Sequence, residues 1–151
     1  ANHYYEKWGV DSVGLRYGVV YGLGRMRGPS RFATDLIRLP ALGETFRFEY
    51  GNSVVDWQYI DDIAQITVVT LLSETLPERA YNVRGEEASI YEAAELVRRY
   101  IPDAKFELGD QSLRIVPTGD DSALIRDLGV RYHTPLSDAI KQIVNAYREC
   151  K

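Results

Sequence analysis

The sequence is poor in the side chains that hold metals and disulfides: it has one cysteine, Cys150, and two histidines, His3 and His133, far apart in the chain. A lone thiol closes no intrachain disulfide, and three scattered residues do not make a zinc-ligand pattern, so no metal site is expected. A single free thiol suits a reducing compartment, and the expected setting is cytoplasmic. No apolar run approaches the ~18 residues of a membrane span, so no membrane partner is expected. Positive charge is also in deficit, with 18 Lys and Arg against 22 Asp and Glu and no basic run. That balance leaves no electrostatic footprint for nucleic acid.

What is present is enough apolar material for a sizeable core. Hydrophobic residues make up 45% of 151, the size of one domain spanning residues 1–151. The chain is organised around Leu15 to Gly24. Val13, Leu15 and Tyr17 alternate with Ser12, Gly14 and Arg16, which predicts a half-buried strand over 12–17. Gly18, Gly22 and Gly24 then let the backbone turn sharply or approach a ligand.

Further along, Gly28-Pro29-Ser30 marks a helix start, and Phe32, Ala33, Leu36 and Ile37 line one face up to a stop at Pro40. Phe46, Phe48 and Tyr50, separated by Gly51-Asn52 from a second extended run over 54–59, predict a hairpin or two neighbouring strands. Asp61 and Asp62 are expected to cap and open a helix whose Ile60, Ile63, Ala64, Thr67, Val68, Leu71 and Leu72 face the core. Residues 80–83 read as a short buried strand, and Ser89 with Glu92 as a capping box opening a helix with Ile90, Ala93, Ala94, Val97 and Ile101 inside. Ala104, Phe106 and Leu108 suggest another strand. Asp120 or Asp121 is expected to cap a short helix ended by Gly129, and Thr134-Pro135 to open a last one with Leu136, Ala139, Ile140, Ile143, Val144 and Tyr147 inside. Strands and helices mix without strict alternation, an α/β pattern.

Two patterns imitate functional signatures. Gly22, Gly24 and Gly28 follow a strand and precede a helix, with Glu49 at the distance of a ribose acid, but their spacing departs from the dinucleotide fingerprint; a loop over a substrate pocket is preferred. Tyr147 and Lys151 face each other at i, i+4, yet Tyr147 continues an apolar face and Lys151 is the last residue. Adjacent Asp61 and Asp62 point in different directions, which favours capping over paired acid/base work. No catalytic residue is expected in this chain.

The run LRYGVVYGLG over 15–24, followed about thirty residues later by DWQYIDDIA over 56–64, resembles the NAD-dependent epimerase/dehydratase family, the extended short-chain dehydrogenases. The likeness covers nearly the whole chain but only the C-terminal part of the family. It implies a Rossmann-type α/β fold lacking the N-terminal dinucleotide-binding half, with the glycine fingerprint and the Tyr-x-x-x-Lys pair upstream of Ala1 and residues 2–8 as the last turns of the helix carrying that pair. It implies that Tyr17, Gly18 and Val19 meet the nicotinamide end of NAD or NADP in the intact parent, with no tight cofactor binding by this chain alone. Tyr21 would begin the substrate pocket. Arg25, Arg27 and Arg114 have the guanidinium geometry for an anionic group of the substrate. Two departures count against an ordinary nucleotide sugar: Val55 stands where many such enzymes carry an arginine, and Val19 where many carry an asparagine. The implied function is the substrate-binding part of an NAD(P)-dependent epimerase/dehydratase or reductase acting on a nucleotide sugar or a related hydroxyl or carbonyl compound. Its implied partners are a small-molecule substrate, the missing N-terminal half and a second copy of the chain. The alternatives are a stand-alone, non-catalytic binding module and, third, a self-contained nucleotide site at Gly22 to Gly28.

Overall fold

A computed structural model describes residues 1–115, 118–129 and 131–149. In chain order the elements are α1 (Asn2–Trp8), β1 (Gly14–Arg16), β2 (Val19–Tyr21), α2 (Arg31–Ala41), β3 (Phe46–Phe48), β4 (Val54–Tyr59) and α3 (Ile60–Leu72). There follow β5 (Ala80–Asn82), β6 (Glu86–Ser89), α4 (Ile90–Arg98), β7 (Phe106–Leu108), α5 (Ser122–Leu128) and α6 (Leu136–Glu149).

The strand β4 is buried from Val55 to Tyr59 and is the centre of the larger packing unit. β2 pairs parallel to one edge, Val19 opposite Trp57, and β6 antiparallel to the other, Val55 opposite Ala88. Side chains alternate across a strand. Val55, Trp57 and Tyr59 therefore enter the main core, where α2, α4 and α6 bring Leu36, Ile37, Ile90, Val97, Ile140 and Ile143. Each such fully buried aliphatic side chain contributes about 1.5–3 kcal/mol of transfer free energy. The other face carries Asp56 and Gln58, both buried. A second core lies beside the parallel pair β1–β5, Leu15 opposite Tyr81, and gathers Ile66, Leu76, Tyr81, Val83 and Leu124.

Several local expectations change once the strands pair. The strand predicted over 12–17 ends at Arg16 and resumes at Val19, so that one run of sequence feeds two sheets. β3 makes no hairpin with β4. Both edges of β4 are taken by β2 and β6, and β3 pairs parallel with β7 instead, Phe46 opposite Phe106. Pro40 sits within the last turn of α2, where a missing N–H costs one helical bond, and the helix runs on to Ala41. The apolar pattern of α3 divides: Ile60 and Ile63 pack half-buried against the two cores as expected, beside buried Ile66, while Val68, Leu71 and Leu72 turn outward, 52%, 81% and 74% exposed. Next in the chain before β1, α1 buries none of its residues and exposes Tyr4, Tyr5 and Trp8. It is tethered by Arg79, whose guanidinium stacks 3.9 Å over the Tyr5 ring and pairs with Asp11. The Ser89–Glu92 capping box forms as expected, and Asp120 accepts from the backbone N–H and hydroxyl of Ser122 at the start of α5.

Candidate functional site

β1 and β5 run side by side in one direction and end at Arg16 and Asn82. In open parallel sheets, ligands bind in the crevice beyond the carboxyl ends of the strands. A groove of about 200 Å³ lies there, lined by Arg16, Tyr17, Gly18, Asp56, Asn82 and Thr118 among others.

Each wall is fixed by a nameable contact. The Thr67 hydroxyl donates to the Ile63 carbonyl at 2.7 Å, so the 2.8 Å bond between Thr67 Oγ1 and the Tyr17 hydroxyl has tyrosine as donor. The phenol is thereby held toward α3, and the 41% exposed residue keeps part of its ring free. Asn82 donates to the Asp120 carbonyl and accepts from Arg16 at 3.4 Å, tying the rim together. Asp56 forms the floor and is 4% exposed. Its carboxylate accepts from Gly85 N–H and from Gln58 Nε2, each at 2.7 Å. Burial raises its pKa above the ordinary carboxylate range, against the opposing pull of those two hydrogen bonds and of the nearby Arg84.

Two glycines make this approach of loops to strand possible. A Cβ at Gly18 would stand 2.9 Å from Asp56 Oδ2 and 3.0 Å from the Asp56 carbonyl oxygen, and one at Gly85 would collide with the Trp57 carbonyl. The loops after β1 and β5 therefore lie directly on β4. The groove offers an acceptor at Asp56, a cation at Arg16 and an aromatic face at Tyr17, which is equipment for binding and orientation.

Residues 1–83, more than half of the chain, match the NAD dependent epimerase/dehydratase family. The chain belongs to that family. A curated relative, the uncharacterized 37.6 kDa protein in cld 5'region of Escherichia coli O111:H-, is 25% identical over 99% of this chain and 51% of its own length. Among solved structures, a partial consensus L-threonine 3-dehydrogenase superposes with a TM-score of 0.87 at 18% identity, over 98% of this chain and 51% of that one. The Thermus thermophilus UDP-glucose 4-epimerase complex with NAD gives 0.82 at 22%, over 99% and 50%. UDP-glucuronic acid 4-epimerase from Bacillus cereus, solved with UDP-glucuronic acid and NAD, gives 0.78 at 21%, over 99% and 49%. The chain thus spans about half the length of the proteins it matches. Its fold is the α/β arrangement of the C-terminal half of Rossmann-type extended short-chain dehydrogenases.

Within this family member, the residues singled out from sequence scatter. Tyr17 and Gly18 share the groove. Val19 opens β2 and packs half-buried against the main core. Tyr21 is 1% exposed and sits edge-on to Trp57 with Tyr59 beside it; burial drives its phenol pKa far upward, and the ring has no free surface. Arg25 folds back to donate to Ser30 Oγ at 3.0 Å and lies against Gly28, filling the space before α2 with its own guanidinium. Arg27 and Arg114 are exposed, and none of the three arginines lines the groove.

Asp61 and Asp62 lie in the first turn of α3 as expected, but no side-chain cap forms there. The residue preceding α3 is Tyr59, with no side-chain cap, and Asp62 instead accepts from the N–H and hydroxyl of Thr134 at 2.7 and 2.9 Å, clamping the approach to α6. Tyr147 packs against the main core, whereas Lys151 and Cys150 lie outside the described residues. Among the described residues no group of three or more His, Cys, Asp or Glu is placed to hold a metal, and no helix is long and apolar enough to cross a membrane. Sequence reasoning passed over Arg16, Asn82, Thr118 and the Asp56–Gln58 pair. A signal existed for the last: polar residues at i and i+2 interrupting a run that is otherwise aromatic and β-branched.

Proposed function

We propose that this chain is the substrate-side part of an NAD(P)-dependent epimerase, dehydratase or reductase, and that the groove beyond β1 and β5 receives the nicotinamide end of the cofactor. The observation that carries the reading is the groove itself: a parallel pair followed, in the loop after β1, by a glycine whose bare Cα brings backbone onto a buried carboxylate. Its volume of about 200 Å³ admits a single heteroaromatic ring, and among the described residues that line it Arg16 is the one cation. The fit is therefore to one end of a dinucleotide, whose remainder needs a second structural half. The outward apolar face of α3, the exposed aromatics of α1 and the outer edge of β1, which pairs with no strand among the described residues, supply the matching surface for that half.

When bound, the nicotinamide supplies a hydride acceptor or donor. The chain's own residues bind and orient: Gly18 allows close backbone approach, Tyr17 offers a ring face while Thr67 holds its hydroxyl aside, and Asp56 offers an acceptor. Proton transfer would fall to a Tyr-x-x-x-Lys pair on that second half. The substrate carries a hydroxyl or carbonyl group. Val55 is fully buried and Val19 half-buried, so neither position offers a polar grip on a diphosphate. An anionic group on the substrate would fall to Arg25, Arg27 and Arg114 after Arg25 leaves Ser30.

Titration of the ¹⁵N-labelled chain with NAD⁺ and with NADP⁺ tests the reading. Weak, saturable shifts at Tyr17, Gly18, Val19 and Gly119 are expected, with no turnover. Shifts confined to Gly22 to Gly28 would replace it with a self-contained nucleotide site, and no shift at all would favour a non-catalytic module.

A further inference from the structure

Gln58 is 2% exposed in the middle of β4, on the same face as Asp56. Its amide nitrogen donates to Asp56 Oδ2 and to the Val83 carbonyl, both at 2.7 Å. The Val83 carbonyl can only accept, as does the Asp56 carboxylate when ionised, so turning the amide over would set its oxygen against the carbonyl oxygen; the carbonyl fixes the orientation. Gln58 Oε1 is then left facing away from both, and it has no hydrogen-bond partner among the described residues. Buried polar atoms in native proteins are almost always satisfied, often by an internal water. Gln58 lines a void of about 10 Å³ together with Asp62, Ile66, Val83, Tyr132 and His133. That is room for about one water molecule.

We propose that Gln58 Oε1 binds a single resident water in this void, and that Gln58, so anchored, is the positioning residue that holds the Asp56 carboxylate beneath Gly18 and thereby sets the Tyr17–Gly18 wall of the groove. The chain of contacts is continuous. Water and the Val83 carbonyl fix the Gln58 amide, the amide and Gly85 N–H fix the carboxylate, and the carboxylate supports the backbone that passes over it at Gly18. Val83 and Gly85 follow β5, so the same amide ties the loops after both parallel strands to β4. The functional meaning of this positioning rests on the nicotinamide-side reading of the groove, but the contacts do not.

Nuclear magnetic resonance of the full chain, without cofactor, separates the two. In the wild-type chain the Gln58 side-chain N–H₂ should show cross-relaxation with a long-lived water, and its shifts should titrate with the same midpoint as the Asp56 carboxyl carbon and the Gly85 amide. Absence of the water signal, or a Gln58 amide indifferent to the Asp56 titration, overturns the proposal. In Gln58→Met, loss of a hydrogen bond to the charged form should move the Asp56 midpoint upward and displace the Tyr17 and Gly18 amides. The Trp57 indole N–H, bonded to the Ala88 carbonyl on the opposite face, should stay in place. Arg84 and Glu87, the charges that bear on Asp56, and Arg16 across the groove are unchanged by the substitution. An unmoved Asp56 midpoint in a folded Gln58→Met chain refutes it. Should that variant fail to fold, the wild-type measurements decide alone. Failure of the cofactor titration with these signals intact would sink only the nicotinamide reading.

Discussion

Replacing Gly18 by alanine probes the groove at its tightest point. The new methyl would stand 2.9 Å from Asp56 Oδ2, 3.0 Å from Asp56 Cβ and 3.0 Å from its carbonyl oxygen. The last two atoms belong to a strand paired on both edges, so they have little room to retreat. Forcing a methylene-sized group into such packing costs about 1–3 kcal/mol. The usual entropic gain of Gly→Ala, about 0.4–1 kcal/mol through the unfolded chain, offsets part of it. A net loss of about 1–2 kcal/mol should lower Tm by roughly 2–8 °C for a chain of this size. Gly24→Ala is the control: φ is +82° but nothing lies within 4 Å of its Cβ, so only backbone strain of about 1–2 kcal/mol applies. Scanning calorimetry reads both melting points, and the Gly85 amide shift, which reports the Asp56 bond, should move in Gly18→Ala alone. A Gly18→Ala chain that melts at or above the wild-type temperature, with Gly85 unmoved, would refute the close-approach argument.

Four other outcomes are expected. Ser89→Ala removes the acceptor of the Glu92 N–H and should destabilise by about 1 kcal/mol in urea unfolding at pH 7; no change would mean that α4 does not need its cap. Glu92 is held below its ordinary value of 4.5, first by the Ser89 backbone N–H and then by its hydroxyl. A depressed carboxylate stabilises above its unfolded pKa and loses that contribution as pH falls through the folded one, so a stability gap between wild type and Glu92→Gln at pH 7 should close as pH drops below 4.5. Asp62→Ala leaves the Thr134 N–H and hydroxyl unpaired, which should cost about 1–3 kcal/mol, and hydrogen exchange at Thr134 should accelerate; unchanged exchange would break the assignment of the clamp. Finally, Leu71 and Leu72 leave enough apolar surface in water that the isolated chain should self-associate at micromolar concentration, and the double change Leu71→Glu, Leu72→Glu should shift sedimentation equilibrium toward monomer. A wild-type chain that sediments as a clean monomer, with Trp8 shielded from iodide, would show that α1 and α3 cover each other.

Features settled within one turn or one strand were legible in the sequence without any structure. The capping box at Ser89 and Glu92 closes within three residues, and the buried faces of α2, α4 and α6 follow from a 3.6-residue rhythm that any apolar environment rewards. The resemblance carried by residues 15–24 and 56–64 was equally legible, because glycine and aspartate at fixed spacings are local facts. Strand pairing was left to the tertiary structure, since an extended run does not encode which edge is vacant: β3 went to β7 because β4 was already paired on both sides. So were partners that lie far apart in sequence, as when Asp62 clamped Thr134 rather than capping its own helix. An amphipathic pattern announces an apolar face without naming what covers it, and for α3 nothing in this chain covers Leu71 and Leu72 among the described residues. The groove is the plainest case. Tyr17 and Gly18 were visible as a turn after a strand, but Asp56 and Asn82 reach that turn only through long-range pairing, because proximity across a sheet is a property of the folded backbone and not of sequence distance.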